Sequence, residues 1–162
     1  MFDKYGEFDS AKELNAAAEG QKAEGDLEAL IELAAENGID KEDAEDYYDG
    51  ATEELATPLM AAFGKLQVEA AKLKPTEIMS DWFEYIKKEC VENEDMAAAV
   101  RKKGKSLSGC IAHILAWSFK NMYDIPPEIK KAAQVTGNVK MGIPGVGQAK
   151  RLIWEYYLEE DA

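Results

Sequence analysis

The sequence predicts an all-α protein, and three observations support this prediction. Apolar side chains recur at the three-and-four-residue spacing of an amphipathic helix along nearly the whole chain. No segment alternates apolar and polar residues cleanly, as a half-buried strand would. Capping residues and glycines suited to helix ends punctuate the pattern. With 162 residues and 46 % hydrophobic content, the chain can bury a substantial core in about seven to eight helices.

Capping signals place the helices of the N-terminal half. Ser10, followed by Glu13, has capping-box spacing and begins a first helix that runs to about Gly25. Asp26 can cap a second helix, which we expect to end at Gly38 in a left-handed conformation. The other predicted helices of this half run from Lys41, after a cap at Asp40, to about Asp49, and from near Pro58 to about Leu73.

The C-terminal half is richer in large apolar side chains and should supply much of the core. Its predicted helices cover Ile78 to about Asn93, Asp95 to Lys103, Ser106 to Met122 and Gln148 to Glu160, with a turn or short helix from Ile125. The helix from Ser106 is apolar around most of its circumference and should lie centrally. A short strand or hairpin is expected near residues 135–147, with Val139 to Ile143 as its strand.

Composition changes between Lys72 and Pro75, which predicts two regions. Residues 1–72 form an acidic, Ala-rich helical region, and residues 75–162 form an aromatic-rich helical region. No apolar stretch approaches the roughly 20 residues that a bilayer span requires, and no export signal precedes the first predicted helix. We therefore expect a cytoplasmic protein without a membrane partner.

Negative charge is concentrated in the first third of the chain. Residues 1–60 contain 18 Asp and Glu and 4 Lys, a net charge of -14, whereas residues 61–162 have a net charge of +1. Carboxylates at this density repel nucleic acid and attract cationic partners. The predicted partner is a basic protein, and direct binding of nucleic acid is disfavoured.

The predicted helix from Lys41 to Asp49 carries the densest acidic run. A solvated face explains the charge, but it does not explain two tyrosines, which are favoured at interfaces. Carboxylates one helical turn apart, about 5 to 6 Å, approximate the phosphate spacing along one DNA strand. A DNA-mimicking face is therefore the alternative to a solvated one. Its candidate partner-binding residues are Glu42, Asp43, Glu45, Asp46, Tyr47, Tyr48, Asp49 and Glu53.

A second candidate site is basic. The run from Arg101 to Lys105 ends a predicted helix, where the dipole favours cations. It can be a solvated helix end, a weak nucleic-acid contact or an internal docking patch for the acidic N-terminal helices, and docking fits the charge asymmetry better than nucleic acid does. Gly142–Gly147 is similar to the phosphate-binding hairpin of a helix-hairpin-helix element, although it can also simply turn the chain into its last helix. The candidate nucleic-acid-binding residues are Arg101, Lys102, Lys103, Lys105, Gly145, Gly147, Lys150 and Arg151.

No constellation of residues predicts catalysis. His113 is the only histidine, and no serine or second histidine lies at triad or metal-binding spacing from it. Cys90 and Cys110 lie in apolar helical contexts and should be buried free thiols. The stretch from Asp40 to Asp49 lacks the glycine and glutamate of a calcium-binding EF-hand loop. The sequence therefore predicts no enzyme, no metal site and no cofactor.

Three segments of the C-terminal half carry a resemblance. Lys103–Ile111, Gly142–Pro144 and Ile153–Asp161 resemble the PcfK-like proteins of bacterial conjugative elements and prophages. That family has a Lys-Ser segment leading to a Cys-bearing helix and ends in His-Tyr-Tyr followed by acidic residues; here Glu155 stands in place of the His. The resemblance implies a protein of a mobile genetic element acting in a bacterial host cell. It also implies a link to anti-CRISPR proteins, which act on type II effector nucleases.

Charge and resemblance together give the leading hypothesis. It is a non-enzymatic inhibitor that binds a CRISPR effector nuclease, with or without guide RNA, because such a nuclease has positively charged channels that an acidic helical face could block. The alternative is a conjugation or plasmid-transfer accessory protein that binds nucleic acid through its basic C-terminal region. A plain adaptor remains a third option. Tyr47, Tyr48, Tyr156 and Tyr157, if exposed, would also suit a homodimer.

Overall fold

The computed structural model describes residues 1–159 and shows nine α-helices and one two-stranded hairpin in that part of the chain. The helices are α1 (Ala11–Ala23), α2 (Leu27–Glu36), α3 (Lys41–Tyr48), α4 (Pro58–Leu73), α5 (Ile78–Glu92), α6 (Glu94–Arg101), α7 (Leu107–Lys120), α8 (Pro127–Ala132) and α9 (Val146–Leu158). Strands β1 (Tyr123–Asp124) and β2 (Lys140–Met141) pair antiparallel. The predicted all-α class and the hairpin strand near residues 135–147 are confirmed. No helix within residues 1–159 is long and apolar enough to cross a membrane.

Local capping explains where the first helices begin. The Ser10 hydroxyl accepts a hydrogen bond from the Glu13 N–H at 3.2 Å, and the Glu13 carboxylate accepts one from the Asp9 N–H at 2.8 Å. Asp26 accepts from the Ala29 N–H at 3.0 Å. Asp40 occupies the expected position before α3, but its side chain makes no capping hydrogen bond. The caps at Ser10 and Asp26 are therefore confirmed.

Helix boundaries in the C-terminal half differ from the prediction in small ways. The side chain of Asn93 accepts from the N–H groups of Asp95 and Met96, so α6 begins and ends earlier than expected. The last helix begins at Val146, two residues before the predicted start. Its predicted end at Glu160 lies outside the described residues, as does Asp161 of the resembling segment.

Two clusters of buried apolar side chains form the interior. The N-terminal cluster consists of Leu14, Ala18, Leu30, Leu33, Ala34, Ile39, Ala44, Tyr47, Leu55, Ala56 and Ala61. The C-terminal cluster consists of Ala62, Leu66, Ile86, Cys90, Met96, Ala97, Val100, Leu107, Cys110, Ile114, Leu152, Ile153 and Tyr157. Helix α4 contributes to both clusters and joins them. The predicted boundary at residues 72–75 is the connection between α4 and α5, and the division into regions 1–72 and 75–162 stays a prediction.

A glycine contact brings α2 directly against α4. Gly38 ends α2 with φ of 69°, the left-handed conformation that the sequence predicted. Its backbone lies on Gly64 of α4, where an added Cβ would come within 2.1 Å of the Asn37 carbonyl oxygen. Because neither glycine has a side chain, the two backbones can touch. This contact fixes the acidic helices relative to the helix that joins the clusters.

Candidate functional site

Helix α3 presents its acidic residues to solvent because its other face is buried. Ala44 and Tyr47, three residues apart, lie in the N-terminal cluster. Glu42, Asp46 and Asp49 are exposed. Their spacing of four and three residues places them on one stripe, with neighbouring side chains about 5 to 6 Å apart. We call Glu42, Asp46 and Asp49 the acidic stripe.

The acidic stripe has no internal counterion. Glu45 lies beside the stripe and pairs with Lys41, with Nζ and Oε1 3.3 Å apart. Across residues 1–159, none of the three stripe carboxylates lies within ion-pair distance of a lysine or arginine. An exposed pair such as Lys41 with Glu45 is worth little in stability. The stripe is therefore both outward-facing and available to a cation from outside the chain.

The two tyrosines of α3 anchor the helix instead of extending the exposed surface. Tyr47 is 5 % exposed, Lys22 Nζ lies 4.6 Å from its ring centroid, and burial raises the pKa of its hydroxyl. The half-buried Tyr48 donates a hydrogen bond from its hydroxyl to the Gly25 carbonyl oxygen at 3.1 Å. The prediction of Tyr47 as a partner-contacting residue is therefore wrong. Its spacing of three from Ala44 was the sequence signal for an inward face.

The loop that follows α3 extends the negative surface towards α1. Glu53 and Glu54 are exposed on this loop, whereas Asp43 of α3 is half-buried. Asn15 of α1 holds the loop, because its Nδ2 donates to the Ala56 carbonyl oxygen at 2.8 Å and its Oδ1 accepts from the Ala56 N–H at 3.0 Å. An open cleft of about 690 Å³ lies between this loop and α1. Its lining includes Glu53, Glu54 and the α1 residues Lys12 and Lys22. Asn15 therefore fixes the end of the loop against α1, and its Nδ2 also lies 3.3 Å from Glu54 Oε2.

The basic run at the end of α6 packs against the N-terminal segment. Arg101 is 1 % exposed; its Nε donates to the Phe8 carbonyl oxygen and its Nη2 to the Asn37 Oδ1, both at 3.2 Å. The Lys103 N–H donates to Asp9 Oδ1 at 3.0 Å. Arg101 cannot reach a phosphate from this position, so its prediction as a nucleic-acid-binding residue is wrong. The geometry agrees with the docking interpretation, although most of the contacts are to residues that precede α1.

Sequence analysis did not identify two charged residues at this junction, Lys65 and Glu69. Lys65 is fully buried, and its Nζ lies 2.8 Å from Glu7 Oε1. The same ammonium donates to the carbonyl oxygens of Lys102 and Lys105, at 2.8 and 2.5 Å. Neutral oxygens and one carboxylate thus solvate a cation that is removed from water. The signal in the sequence was a lysine beside the apolar stripe of α4.

Glu69 lies one turn after Lys65 and is 5 % exposed. Its Oε2 accepts a hydrogen bond from the Leu107 N–H at 3.0 Å, at the start of α7. Burial raises the pKa of this carboxyl to about 7, against the opposing effect of Lys65. The group therefore changes charge near neutral pH inside the protein.

The glycine-rich turn before α9 has the form of a simple helix entry. Strand β2, and not a helix, leads into Gly142, so the first helix of a helix-hairpin-helix element is missing. Gly145 and Gly147 are exposed at the start of α9. The other exposed cations predicted to bind nucleic acid are Lys102, Lys103, Lys150 and Arg151, and Lys105 is half-buried with Nζ 5.1 Å from the Tyr156 ring centroid.

The cysteines and the histidine do not form a reactive group. Cys90 and Cys110 are buried free thiols, as predicted, and burial raises the pKa of each to about 12. His113 Nε2 lies 3.4 Å from Glu155 Oε2. In the described part of the chain, no group of three His, Cys, Asp or Glu residues is placed to hold a metal ion.

Comparisons of the chain with protein family models, with curated proteins and with solved structures give no match. The resemblance to PcfK-like proteins stays an expectation from the sequence. The candidate functional site is therefore defined by geometry and charge alone. It is the acidic stripe, flanked by Glu45 and by the loop that carries Glu53.

Proposed function

We propose that this protein is a non-enzymatic inhibitor that binds a basic nucleic-acid-handling protein through the acidic stripe. One observation supports the proposal above all others. Glu42 and Asp46 of α3 face solvent together with Asp49, the residue that caps the C-terminus of this helix, and no cation of the described chain forms an ion pair with them. Three aligned carboxylates at helical spacing resemble a short run of phosphates. A channel that binds nucleic acid electrostatically would accept such a surface.

The inhibition would be competitive with nucleic acid. Lysines and arginines of the target would pair with the acidic stripe instead of phosphates, or instead of guanine edges where arginine reads them. Long-range attraction would also speed the encounter at low salt and weaken it at high salt. Because α3 is held by buried Tyr47 and by the Tyr48 hydrogen bond, the carboxylates are positioned before binding.

The target class that we propose is a type II CRISPR effector nuclease, following the resemblance of the C-terminal half. Such a nuclease holds its guide and target in positively charged channels. The mobile-element context implied by the resemblance supplies the biological reason for inhibiting it.

A cleavage assay tests the proposal. Purified nuclease with its guide RNA is mixed with the protein before addition of target DNA, over a series of salt concentrations. We expect inhibition that is strongest at low salt and weaker when DNA is added first. Undiminished cleavage at low salt would discard the proposed target. A mobility shift with the protein and DNA alone is the companion measurement, because direct binding of DNA would instead favour the nucleic-acid-binding accessory.

Two variants locate the contact within the same assay. The stripe variant combines Glu42→Gln, Asp46→Asn and Asp49→Asn. The control variant combines Asp81→Asn, Glu94→Gln and Asp95→Asn, which are exposed acids on α5 and α6, and it changes the net charge equally. We expect inhibition to fall only for the stripe variant, since total charge alone would affect both variants alike.

A further inference from the structure

A small apolar pocket lies where α5 meets the first half of α9. Its volume is about 140 Å³, close to that of an apolar cavity that holds one benzene ring. A single aromatic ring or a branched aliphatic side chain would therefore fill it. The apolar part of its lining includes Ile78, Trp82, Tyr85, Pro144, Ala149 and Ile153.

The pocket has its shape before any ligand arrives. Ala149 and Ile153 form a buried part of the wall, at 3 % and 0 % exposure. Tyr85 is held in place, because Trp154 Nε1 donates a hydrogen bond to its hydroxyl at 3.0 Å. Lys150 Nζ also lies 5.1 Å from the Tyr85 ring centroid. A preformed pocket costs little ordering on binding, and a mostly apolar lining favours an apolar group over water.

Two side chains of opposite charge also line this pocket. They are Asp81 of α5 and Lys150 of α9, and both are exposed. Across residues 1–159 no ion pair joins them, and neither forms one with another charged side chain. Their charged atoms therefore lie farther apart than ion-pair distance. One carboxylate and one ammonium thus flank the same apolar pocket, each available to a ligand.

This combination favours one class of small molecule. A ligand with an ammonium, a carboxylate and a large apolar group would meet Asp81, Lys150 and the pocket together. Free α-amino acids with large apolar side chains have all three groups. A residue inside a protein chain lacks both charges at its backbone, because its amino and carboxyl groups are in peptide bonds. A plain hydrocarbon would leave both Asp81 and Lys150 without a partner.

We propose that the pocket between α5 and α9 binds a free α-amino acid with a large apolar side chain, such as phenylalanine or leucine. Its side chain contacts Trp82 of α5 and Ile153 of α9, its ammonium pairs with Asp81, and its carboxylate pairs with Lys150. The site does not include the acidic stripe, and the proposal does not depend on the proposed inhibitory function. The control variant of the cleavage assay carries Asp81→Asn, so it should inhibit the nuclease while binding the amino acid more weakly.

Calorimetric titration of the full chain with L-phenylalanine and L-leucine tests the ligand class. We expect saturable binding of one molecule per chain. Phenethylamine lacks the carboxylate and 3-phenylpropanoate lacks the ammonium, and each should bind about threefold to tenfold more weakly because a partly exposed ion pair is lost. L-Alanine keeps both charges but fills little of the pocket, so it should give no measurable heat. N-acetyl-phenylalanine amide, which has neither charge, should bind more weakly than either single-charge analogue.

Variants and tryptophan signals locate the site. Lys150→Gln should weaken phenylalanine binding about threefold to tenfold. The matched control is Lys120→Gln, an exposed lysine of α7 outside the pocket, which should bind like the natural chain. In nuclear magnetic resonance spectra, phenylalanine should shift the indole N–H signal of Trp82 and leave that of Trp117 in place. Ala149→Leu should fill the pocket and abolish binding, with thermal melting to verify that the variant folds.

Four results would overturn the amino-acid site. The first is no heat with phenylalanine or leucine up to their solubility. The second is equal affinity for phenylalanine and its N-acetyl amide, which would make the pocket a receptor for the side chain of another protein. The third is equal binding by Lys150→Gln and Lys120→Gln, a comparison that stands even if Ala149→Leu does not fold. The fourth is a shift of the Trp117 signal without one of Trp82, which would place the ligand elsewhere.

Discussion

Arg101 Nη2 lies 3.2 Å from Asn37 Oδ1, and this buried hydrogen bond joins residues 64 positions apart. Asn37 follows α2 and its Nδ2 donates to the Leu33 carbonyl oxygen at 2.9 Å, so its side-chain amide is held from both ends. The most central cation of the basic run thus connects the acidic helices to the C-terminal cluster. Opposite charges of the two halves meet at the same junction through Lys65 Nζ and Glu7 Oε1, which lie 2.8 Å apart, while the acidic stripe remains free of such a pair.

Replacing Arg101 should destabilise the fold. Arg101→Met leaves the Phe8 carbonyl and Asn37 Oδ1 without these donors, and we expect the free energy of unfolding to fall by about 2 to 4 kcal/mol. Urea denaturation measures the change. Lys102→Met is the control, because Lys102 is exposed in the same run and its change should stay within about 0.5 kcal/mol. Equal urea midpoints for the two variants would contradict the structural role of Arg101.

Glu69 should make stability fall as pH rises towards neutrality. Burial raises its pKa from an ordinary 4.5 to about 7, so the folded state holds this proton more tightly than the unfolded chain. The contribution of this proton to the free energy of unfolding is fully present below about pH 4.5 and is lost as pH rises through about 7. Relative to Glu69→Gln, the natural chain should lose about 3 kcal/mol of unfolding free energy between about pH 4 and about pH 8. If the free energy of unfolding of the two proteins depended on pH in the same way, the pKa of the Glu69 carboxyl would not be raised in the folded state.

The contact between Gly38 and Gly64 should tolerate no side chain. In Gly64→Ala the new methyl group would meet the Asn37 carbonyl at 2.1 Å, and we expect a loss of about 3 kcal/mol because both partners are backbone. Gly20→Ala is the matched control, since Gly20 is exposed on α1 and its added Cβ would meet nothing within 4 Å. That change should stabilise the protein by up to about 1 kcal/mol. Thermal melting measures both variants. A lower melting temperature for Gly64→Ala together with an unchanged or higher one for Gly20→Ala would show that the loss comes from the backbone clash and not from replacing glycine in a helix.

Neither cysteine should react in the native protein. Burial raises the pKa of Cys90 and Cys110 to about 12, and the thiolate is the reactive form. A chromogenic thiol reagent at about pH 8 should label neither residue until denaturant is added, when both should react. Rapid labelling of one thiol in the native protein would show that its burial is incomplete.

Locally determined features were predictable from the sequence. The caps at Ser10 and Asp26 and the left-handed end of α2 at Gly38 depend on residues within a few positions, and the structure has them. The burial of Tyr47 and Arg101 depends on which surfaces pack against them. Those surfaces come from distant segments, so charge and aromatic composition alone pointed to the wrong exposure.

The hairpin also combines a locally determined strand with one that depends on a distant segment. Strand β2 falls in the segment whose valines and glycines predicted a strand, but β1 has no strand pattern of its own and exists through pairing with β2. Sequence analysis likewise did not identify Lys65 and Glu69 as buried residues. The apolar stripe of a helix predicts which face is buried, but not which charged side chains beside it are buried as well. The acidic stripe faces outward because Ala44 and Tyr47, on the opposite side of α3, pack into the N-terminal cluster.

The affinity of the protein for guide-loaded nuclease, measured with the stripe variant and the control variant over a salt series, tests the central claim most directly. We expect the stripe variant to bind roughly tenfold to a hundredfold more weakly at low salt, from three lost surface ion pairs of about 0.5 to 1 kcal/mol each. The difference should shrink as salt rises, and the control variant should bind like the natural chain. Equal affinities for the natural chain and the stripe variant would contradict the claim that Glu42, Asp46 and Asp49 form the binding surface.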